Sequence, residues 1–189
     1  ACQAFLGTKV HDRADTSQDL SVLLTQVVGT VFHLIETHQS VWPQVIGSEP
    51  VPVFGMALEV GIEPVTVRLE RLLSAYRQGV RDLSDIWKNF LSASVLEGLK
   101  KLSTANLPDF RFQDVLWAKV VYEFAAAHYT MRMDREHLLK SMTPLYLGRT
   151  ASFVLETQDS SAADVENRIE LLCLEYENLK PYLMEKWRS

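Results

Sequence analysis

The sequence predicts an all-α fold, an irregular bundle of about seven helices with a short extended N-terminal arm. Apolar residues recur at i, i+3, i+4 and i+7 without a break from Leu20 to Ile35, a pattern typical of an amphipathic helix. Further segments with this periodicity follow, bounded by capping residues, glycine or proline. We find no repeat of fixed period in the sequence, which argues against a solenoid and favours a single bundle.

The predicted N-terminal arm covers residues 1–16. Residues 3–10 have β-type content interrupted by Gly7, which predicts a short strand or extended segment. The sequence opens at Ala1 without Met, so we interpret the arm as a strand entered partway through, the tail end of a catalytic domain. The polar residues at 11–17 are typical of the cap of a following helix.

The helical domain is predicted over residues 17–189, and its first helix begins near Ser17 or Asp19. The apolar stripe of this helix requires one buried face. Residues 41–63 contain three prolines and three glycines, which exclude a regular helix. Because this segment is too apolar for a free linker, we expect a packed loop. The apolar residues expected to pack are Val41, Trp42, Val45, Ile46, Val51, Val53 and Phe54.

Six further helices are predicted after the loop. Pro64 suits the first turn of one helix, which ends at Gly79, and Pro144 suits the first turn of another, with Thr143 as its cap. Pro181 interrupts the last helix and allows one more turn after it. The predicted bounds are 64–78, 83–103, 112–130, 134–140, 144–157 and 164–179.

Composition excludes several classes of function. The formal charge of −5 and the pI near 5.5 argue against a nucleic-acid surface. No apolar run approaches the roughly 20 residues that a transmembrane helix needs, and no signal peptide is recognisable. Two cysteines are too few for a disulfide framework, and we expect Cys173 to be a small buried thiol. These features favour a cytoplasmic location.

His11 is the candidate metal ligand. An imidazole beside Asp12, with Asp15 close behind, can bind a divalent cation. The same dipeptide before a helix is also typical of a turn and a cap. On spacing alone both interpretations stay open.

The segment Gln3-Ala4-Phe5-Leu6-Gly7-Thr8-Lys9-Val10-His11 resembles the exit from the catalytic domain of retaining GT-A glycosyltransferases, the glucosyl-3-phosphoglycerate and mannosylglycerate synthases. The matching positions are Leu6, Gly7 and His11. Residues 145–154 are similar to the C-terminal part of bacterial family-2 glycosyltransferases. Asp12 departs from the pattern, because a basic residue that faces an acidic acceptor follows the histidine in those enzymes.

The resemblance implies a function for the chain. It would be the C-terminal helical portion of a metal-dependent nucleotide-sugar glycosyltransferase, inactive alone, which shapes the acceptor side and packs on its own N-terminal GT-A domain. His11 would complete a Mg²⁺ or Mn²⁺ site in the full-length enzyme, and no cofactor is expected in the isolated chain. Nucleotide-sugar and acceptor would bind to the full-length protein.

Tyr146 and Arg149 are weaker candidates for substrate binding. They lie three residues apart on one helical face, where they could reach a phosphate or an acceptor hydroxyl. The alternative for Arg149 is an ion pair with a glutamate. For His128 and His137 we expect core or surface roles, and for the four tryptophans, Trp42, Trp87, Trp117 and Trp187, roles as core anchors.

A second hypothesis treats the chain as a non-catalytic helical protein-interaction module. Its docking face would be the helix over 17–35 or the loop over 41–63. Under either hypothesis an apolar patch that normally packs on a partner is exposed in the isolated chain. We therefore expect it to form a homo-oligomer.

Overall fold

The computed structural model describes residues 3–4, 16–47, 52–55 and 68–188. Within these ranges the chain forms seven α-helices, which confirms the all-α class and the expected number of helices. None of the described helices is long and apolar enough to cross a membrane. The helices are α1 (Thr16–Thr37), α2 (Leu69–Trp87), α3 (Ala93–Ser103), α4 (Asp114–Tyr129), α5 (Arg135–Thr157), α6 (Ala162–Asn178) and α7 (Lys180–Arg188).

Extended structure in the described residues is limited to two short strands. Gln3–Ala4 (β1) pairs in parallel with Val53–Phe54 (β2), so that Gln3 lies opposite Val53 and Ala4 opposite Phe54. Three residues of the predicted arm are described: Gln3 and Ala4 are extended, and Thr16 is the first residue of α1. Two single turns of 3₁₀ helix, Trp42–Gln44 and Leu107–Asp109, complete the regular structure of the described ranges.

The core lies where α2, α4 and α5 meet. Its largest fully buried side chains come from α2, α4, the 110–112 segment and α1, which contributes Phe32, and α3 covers its side. The helices α6 and α7 pack on the outer side of α4. The most extensive helix pair is α2 with α5. The large core residues include Tyr76, Trp87, Phe110, Phe112, Phe124, Leu138 and Leu145.

Helix α2 runs through Gly79, so the predicted helix end at this residue is wrong. Gly79 is buried where α2 crosses α5, and a Cβ on it would lie 2.2 Å from Cβ of Pro144. The glycine is therefore used for close approach between two helices rather than for a helix end. The chain leaves the helix only after Trp87, and α3 begins behind Ser92, whose hydroxyl accepts a hydrogen bond from the Val95 amide.

Pro144 lies inside α5, so the predicted break between two helices at 140–144 is also wrong. A proline here removes one backbone hydrogen bond and normally breaks or kinks a helix. In this position its ring fills the space left by Gly79, and the packing of α5 along α2 continues on both sides. The predicted helix start at residue 134 is within one residue of the observed one, since α5 begins at Arg135 and the carboxylate of Asp134 caps it by accepting the His137 amide at 2.9 Å.

The described part of the predicted packed loop is mostly exposed. Trp42 is half-buried, donates from Nε1 to the Ile35 carbonyl at 3.0 Å and packs edge-on against Trp187. Ile46, by contrast, is 95% exposed, and Val41, Val45 and Phe54 are exposed as well. Trp42 is therefore the apolar side chain of this group that anchors the segment. Trp87 and Trp117 are buried in the core, as expected.

Candidate interaction surface

The apolar stripe of α1 is wider than the face that the bundle covers. Leu24 and Phe32 are buried, and Val28 and Ile35 are partly buried against the core. From Val22 onwards, the remaining large apolar side chains of the helix lie next to this covered face and stay between 47% and 56% exposed. They are Val22, Leu23, Val27, Val31 and Leu34.

A groove of about 300 Å³ runs along this exposed strip. Leu23, Val27 and Val31 form one wall, and the other wall comes from α4, α5 and α6. The lining is almost wholly apolar, with tyrosine as its only hydroxyl-bearing residue. The opposite wall consists of Trp117, Val121, Met142, Tyr146 and Tyr176. The same face of the molecule thus carries a ridge, the exposed side chains of α1, and a groove beside it.

The exposed side of α1 also lacks charge. Between Val22 and Ile35 the sequence contains no Asp, Glu, Lys or Arg. The next residue, Glu36, is directed inwards and accepts hydrogen bonds from Arg135 at 3.0 and 3.2 Å. A solvated helix face normally carries charged residues opposite its apolar stripe. Because α1 carries none between Val22 and Ile35, the outer surface of that stretch is suited to burial against another apolar surface.

Tyr146 and Arg149, the predicted substrate-binding pair, lie in different surroundings. Tyr146 is half-buried in the wall of the groove. Arg149 is 5% exposed and donates to the Phe112 carbonyl at 2.7 Å and to Asp114 at 2.7 Å. The guanidinium of Arg149 thus has internal partners, in agreement with the ion-pair alternative. Substrate binding by either residue stays a prediction.

Arg149 belongs to an ionic cluster that joins three helices. Arg168 of α6 contacts Asp114 of α4 at 2.7 Å and Glu156 of α5 at 2.8 Å. Burial lowers the pKa of Arg149, and the two carboxylates act against this shift. The hydrogen bond that Arg168 donates to Asp114 raises the pKa of Arg168 above its ordinary value, and both guanidinium groups stay charged in the cluster. The arrangement is that of a structural clamp.

A second buried polar cluster joins α1 to α4 and α5. His128 is 4% exposed, and its Nδ1 lies 2.6 Å from Oε1 of Glu36, which also pairs with Arg135. This agrees with the expectation of a core role for His128. His137 is exposed near Asp134. The pairing of Glu36 with His128 was not visible in the sequence, because 92 residues separate them.

His11, the predicted metal ligand, lies outside the described residues, as do Asp12 and Asp15. In the ranges that the structure describes, no group of three His, Cys, Asp or Glu residues could hold a metal ion. Cys173 is exposed on α6, so its expected burial is wrong. Helix α6 packs with one narrow face, and Cys173 lies outside that face.

Comparison of the chain with protein-family models, with curated proteins and with solved structures finds no match. The exposed strip of α1 and the adjoining groove are therefore interpreted from their own geometry and chemistry.

Proposed function

We propose that this chain is a non-catalytic helical interaction domain that self-associates through the outer face of α1. The observation that carries the proposal is the uncharged apolar strip of α1, which lies beside an apolar groove of about 300 Å³. In the described residues this strip has no covering element. The partner to which we commit is a second copy of the same chain.

Ridge and groove on one face favour a second copy as the partner. In a two-fold dimer the same patch serves both subunits, so each feature must find its complement on an identical surface. Here the ridge of Leu23, Val27 and Val31 in one copy can enter the groove beside α1 in the other. From Val22 to Leu34 the strip spans about 18 Å at 1.5 Å per residue, which is three turns of ridge.

Charge favours the same partner. The chain carries a formal charge of −5, so two copies repel each other over most approaches. The strip from Val22 to Ile35 carries no charged side chain, so a face-to-face approach there brings no like charges into contact. A strongly charged partner such as a nucleic acid would find no complementary charge on this strip.

The expected affinity is modest. Burying the exposed halves of five apolar side chains contributes about 5 kcal/mol per copy, or about 10 kcal/mol for a dimer. Association costs an estimated 4–15 kcal/mol in lost freedom. With an association cost near the low end of this range, about 4–6 kcal/mol, the balance predicts a dimer with a dissociation constant between roughly 40 micromolar and 1 millimolar.

The test is sedimentation velocity from micromolar to millimolar concentration, with Leu23→Glu as the disrupting variant. Because a two-fold interface contains the substitution twice, the lost burial and the added charge should weaken the dimer at least ~100-fold. Leu171→Glu is the matched control, since Leu171 of α6 is 59% exposed and Leu23 is 55% exposed. A chain that stays monomeric up to millimolar concentration, or a dimer that only Leu171→Glu dissociates, would refute the proposal.

A second candidate function, the C-terminal region of a GT-A glycosyltransferase, is favoured by the resemblance at Leu6, Gly7 and His11. In that case the α1 strip would pack on the catalytic domain, and His11 would join its Mg²⁺ or Mn²⁺ site. Metal-dependent sugar transfer by the full-length protein, sharply reduced in His11→Ala, would support it. Unchanged transfer in that variant would remove His11 from the site.

A further inference from the structure

A polar cavity of about 230 Å³ lies between the turn after α2, the end of α4 and α7. None of its lining residues lines the apolar groove beside α1. Three cationic side chains surround it, each from a different part of the chain: Lys88 follows α2, Arg132 follows α4, and Lys186 lies in α7. A concentration of three cations around one cavity is unexpected in a chain with a formal charge of −5.

Among the described residues of the lining, Glu123 is the only carboxylate, and it already has hydrogen-bond partners. Its side chain is 1% exposed and lies 3.5 Å from the Lys186 ammonium group. One carboxylate oxygen accepts the Ser92 amide at 2.7 Å, and the other accepts the hydroxyl of Tyr182. Glu123 therefore holds α7 and Lys186 in place and offers no open oxygen to an incoming cation. Because Glu123 balances the charge of Lys186, the side chains of Lys88 and Arg132 give the cavity its positive charge.

Arg132 is the cation best suited to capture a ligand. Its backbone position is fixed, because its amide donates to the Ala127 carbonyl at 3.3 Å and the preceding Met131 has a φ of 49°. Its side chain is exposed, and the described residues give the guanidinium no hydrogen bond or ion pair. A guanidinium offers a fork of donors that matches the oxygens of a phosphate group.

Lys88 can turn towards the same ligand. It pairs at 2.9 Å with Asp85, but both side chains are largely exposed. Such surface pairs contribute at most about 1 kcal/mol, so a doubly charged anion in the cavity competes well with Asp85. Asn89, Ser92 and Thr130 add polar groups to the wall.

We propose that this cavity binds a small phosphate-bearing ligand, with Arg132 as its bidentate partner and with Lys88 neutralising the remaining charge. The volume suits a phosphate group with a small organic substituent, because sites for drug-sized ligands begin near 300 Å³. The proposal does not depend on self-association through α1.

The test is a titration of the folded chain with inorganic phosphate and with glycerol phosphate, followed by the amide NMR shifts around the cavity. Sodium chloride at matched ionic strength serves as the reference. A saturable shift at residues 88–92 and 130–132 is expected, and Arg132→Gln should weaken binding at least ~10-fold. Arg71→Gln, which changes an exposed arginine of α2 outside the cavity, should leave binding unchanged.

The comparison of inorganic phosphate with glycerol phosphate shows whether the cavity prefers free phosphate or a phosphate monoester. Tighter binding of glycerol phosphate indicates a phosphate monoester, and equal binding indicates free phosphate. Shifts that sodium chloride reproduces, or binding that Arg71→Gln weakens as much as Arg132→Gln, would overturn the proposal. If Arg132→Gln does not fold, Lys88→Gln, which changes a largely exposed lysine of the same cavity, supplies the comparison, with the chemical shift dispersion of the remaining signals as the test of folding.

Discussion

Gly79 and Pro144 complement each other where two helices cross. Each residue disfavours a helix in isolation, yet both lie inside helices, because the proline ring of α5 occupies the space that a side chain on Gly79 would fill. In the same helix pair, Gly148 of α5 makes room for Tyr76 of α2, since a Cβ on Gly148 would lie 2.5 Å from the Tyr76 ring. Two small residues thus allow α2 and α5 to approach closely.

Replacement of Gly79 by alanine should destabilise the fold by about 2 kcal/mol. Alanine favours an isolated helix by up to about 1 kcal/mol over glycine, but its Cβ would meet the rigid Pro144 ring at 2.2 Å and force the helices apart. Overpacking of this kind costs about 1–3 kcal/mol or more. Chemical denaturation monitored by circular dichroism measures the change in the free energy of unfolding.

Gly98→Ala is the control for this substitution. Gly98 lies in α3, and a Cβ there would meet only the flexible end of Leu116, at 3.1 Å. The leucine can move slightly, so the helix preference of alanine should make this change neutral or stabilising by up to about 1 kcal/mol. A Gly79→Ala protein as stable as Gly98→Ala would contradict the role of Gly79 in the crossing.

At the scale of elements, α6 depends on polar contacts. It contributes no fully buried residue, unlike the other helices of the described bundle that pack on α4. Arg168 joins it to Asp114 and Glu156, and Tyr122 of α4 donates to the Tyr176 carbonyl at 2.6 Å. The ionic cluster is therefore the main tether between α6 and the rest of the bundle.

Arg168→Met should loosen α6 selectively. The substitution keeps apolar volume but leaves Asp114 and Glu156 with only Arg149 as a cation, in a partly buried position where loss of one partner costs about 3 kcal/mol. Hydrogen exchange should become faster in α6, while α2 and α5 stay protected. The measurement is amide hydrogen exchange detected by mass spectrometry.

Lys140→Met provides the comparison for this prediction. Lys140 pairs with Glu136 four residues earlier on an exposed face of α5, a contact that contributes about 0.5 kcal/mol or less. It should change neither the exchange of α6 nor the overall stability measurably. Equal exchange of α6 in Arg168→Met and in the unmodified chain would show that apolar contacts alone hold the helix.

Sequence periodicity predicted α1 and α4 almost to their ends, because their stripes, caps and breaks are local signals. The predictions at Gly79 and Pro144 were wrong, because glycine and proline are typical of helix ends in the local sequence. In the folded chain the crossing of α2 and α5 overrides this local preference. The start of α6 was also misplaced slightly, since its cap is Ser161 in a capping box with Asp164.

The candidate site was predictable in part. Periodicity located the apolar stripe of α1. The stripe is wider than the face of α1 that the bundle covers, which indicates that one side of the stripe has no partner within the bundle. Nothing in the sequence could show which side of the stripe stays exposed, because that depends on where α4 and α5 lie. The burial of Arg149 could not be predicted from the sequence either, because its partners Asp114 and Phe112 lie 35 or more residues away along the chain.

At the scale of the whole molecule, buried tyrosines connect stability to alkaline pH. The hydroxyl of Tyr76 donates to the Leu99 carbonyl at 2.8 Å, and that of Tyr182 donates to Glu123. Burial raises the pKa of Tyr76, Tyr176 and Tyr182 well above the ordinary value, and it raises the pKa of Tyr122 to about 12. These four phenols lie on α2, α4, α6 and α7, so their ionisation affects most of the bundle.

The fold should therefore lose stability above pH ~10. Below pH 10 these phenols are protonated in both the folded and the unfolded chain, and ionisation changes nothing. Between pH 10 and about 12 the unfolded chain releases protons that the folded chain keeps, which stabilises the unfolded state. Denaturation midpoints measured at successive pH values should fall across this range, and the tyrosinate absorbance of these four phenols should appear together with unfolding.

Tyr122→Phe tests the assignment of this effect to buried phenols. It removes one of the groups whose ionisation favours unfolding, so the loss of stability between pH 10 and 12 should be shallower than in the unmodified chain. At neutral pH the variant should be less stable by about 1 kcal/mol, because the hydrogen bond to the Tyr176 carbonyl is lost. The two stability curves should therefore converge as the pH rises. Curves that stay parallel from pH 10 to 12 would show that Tyr122 does not contribute to the loss of stability at alkaline pH.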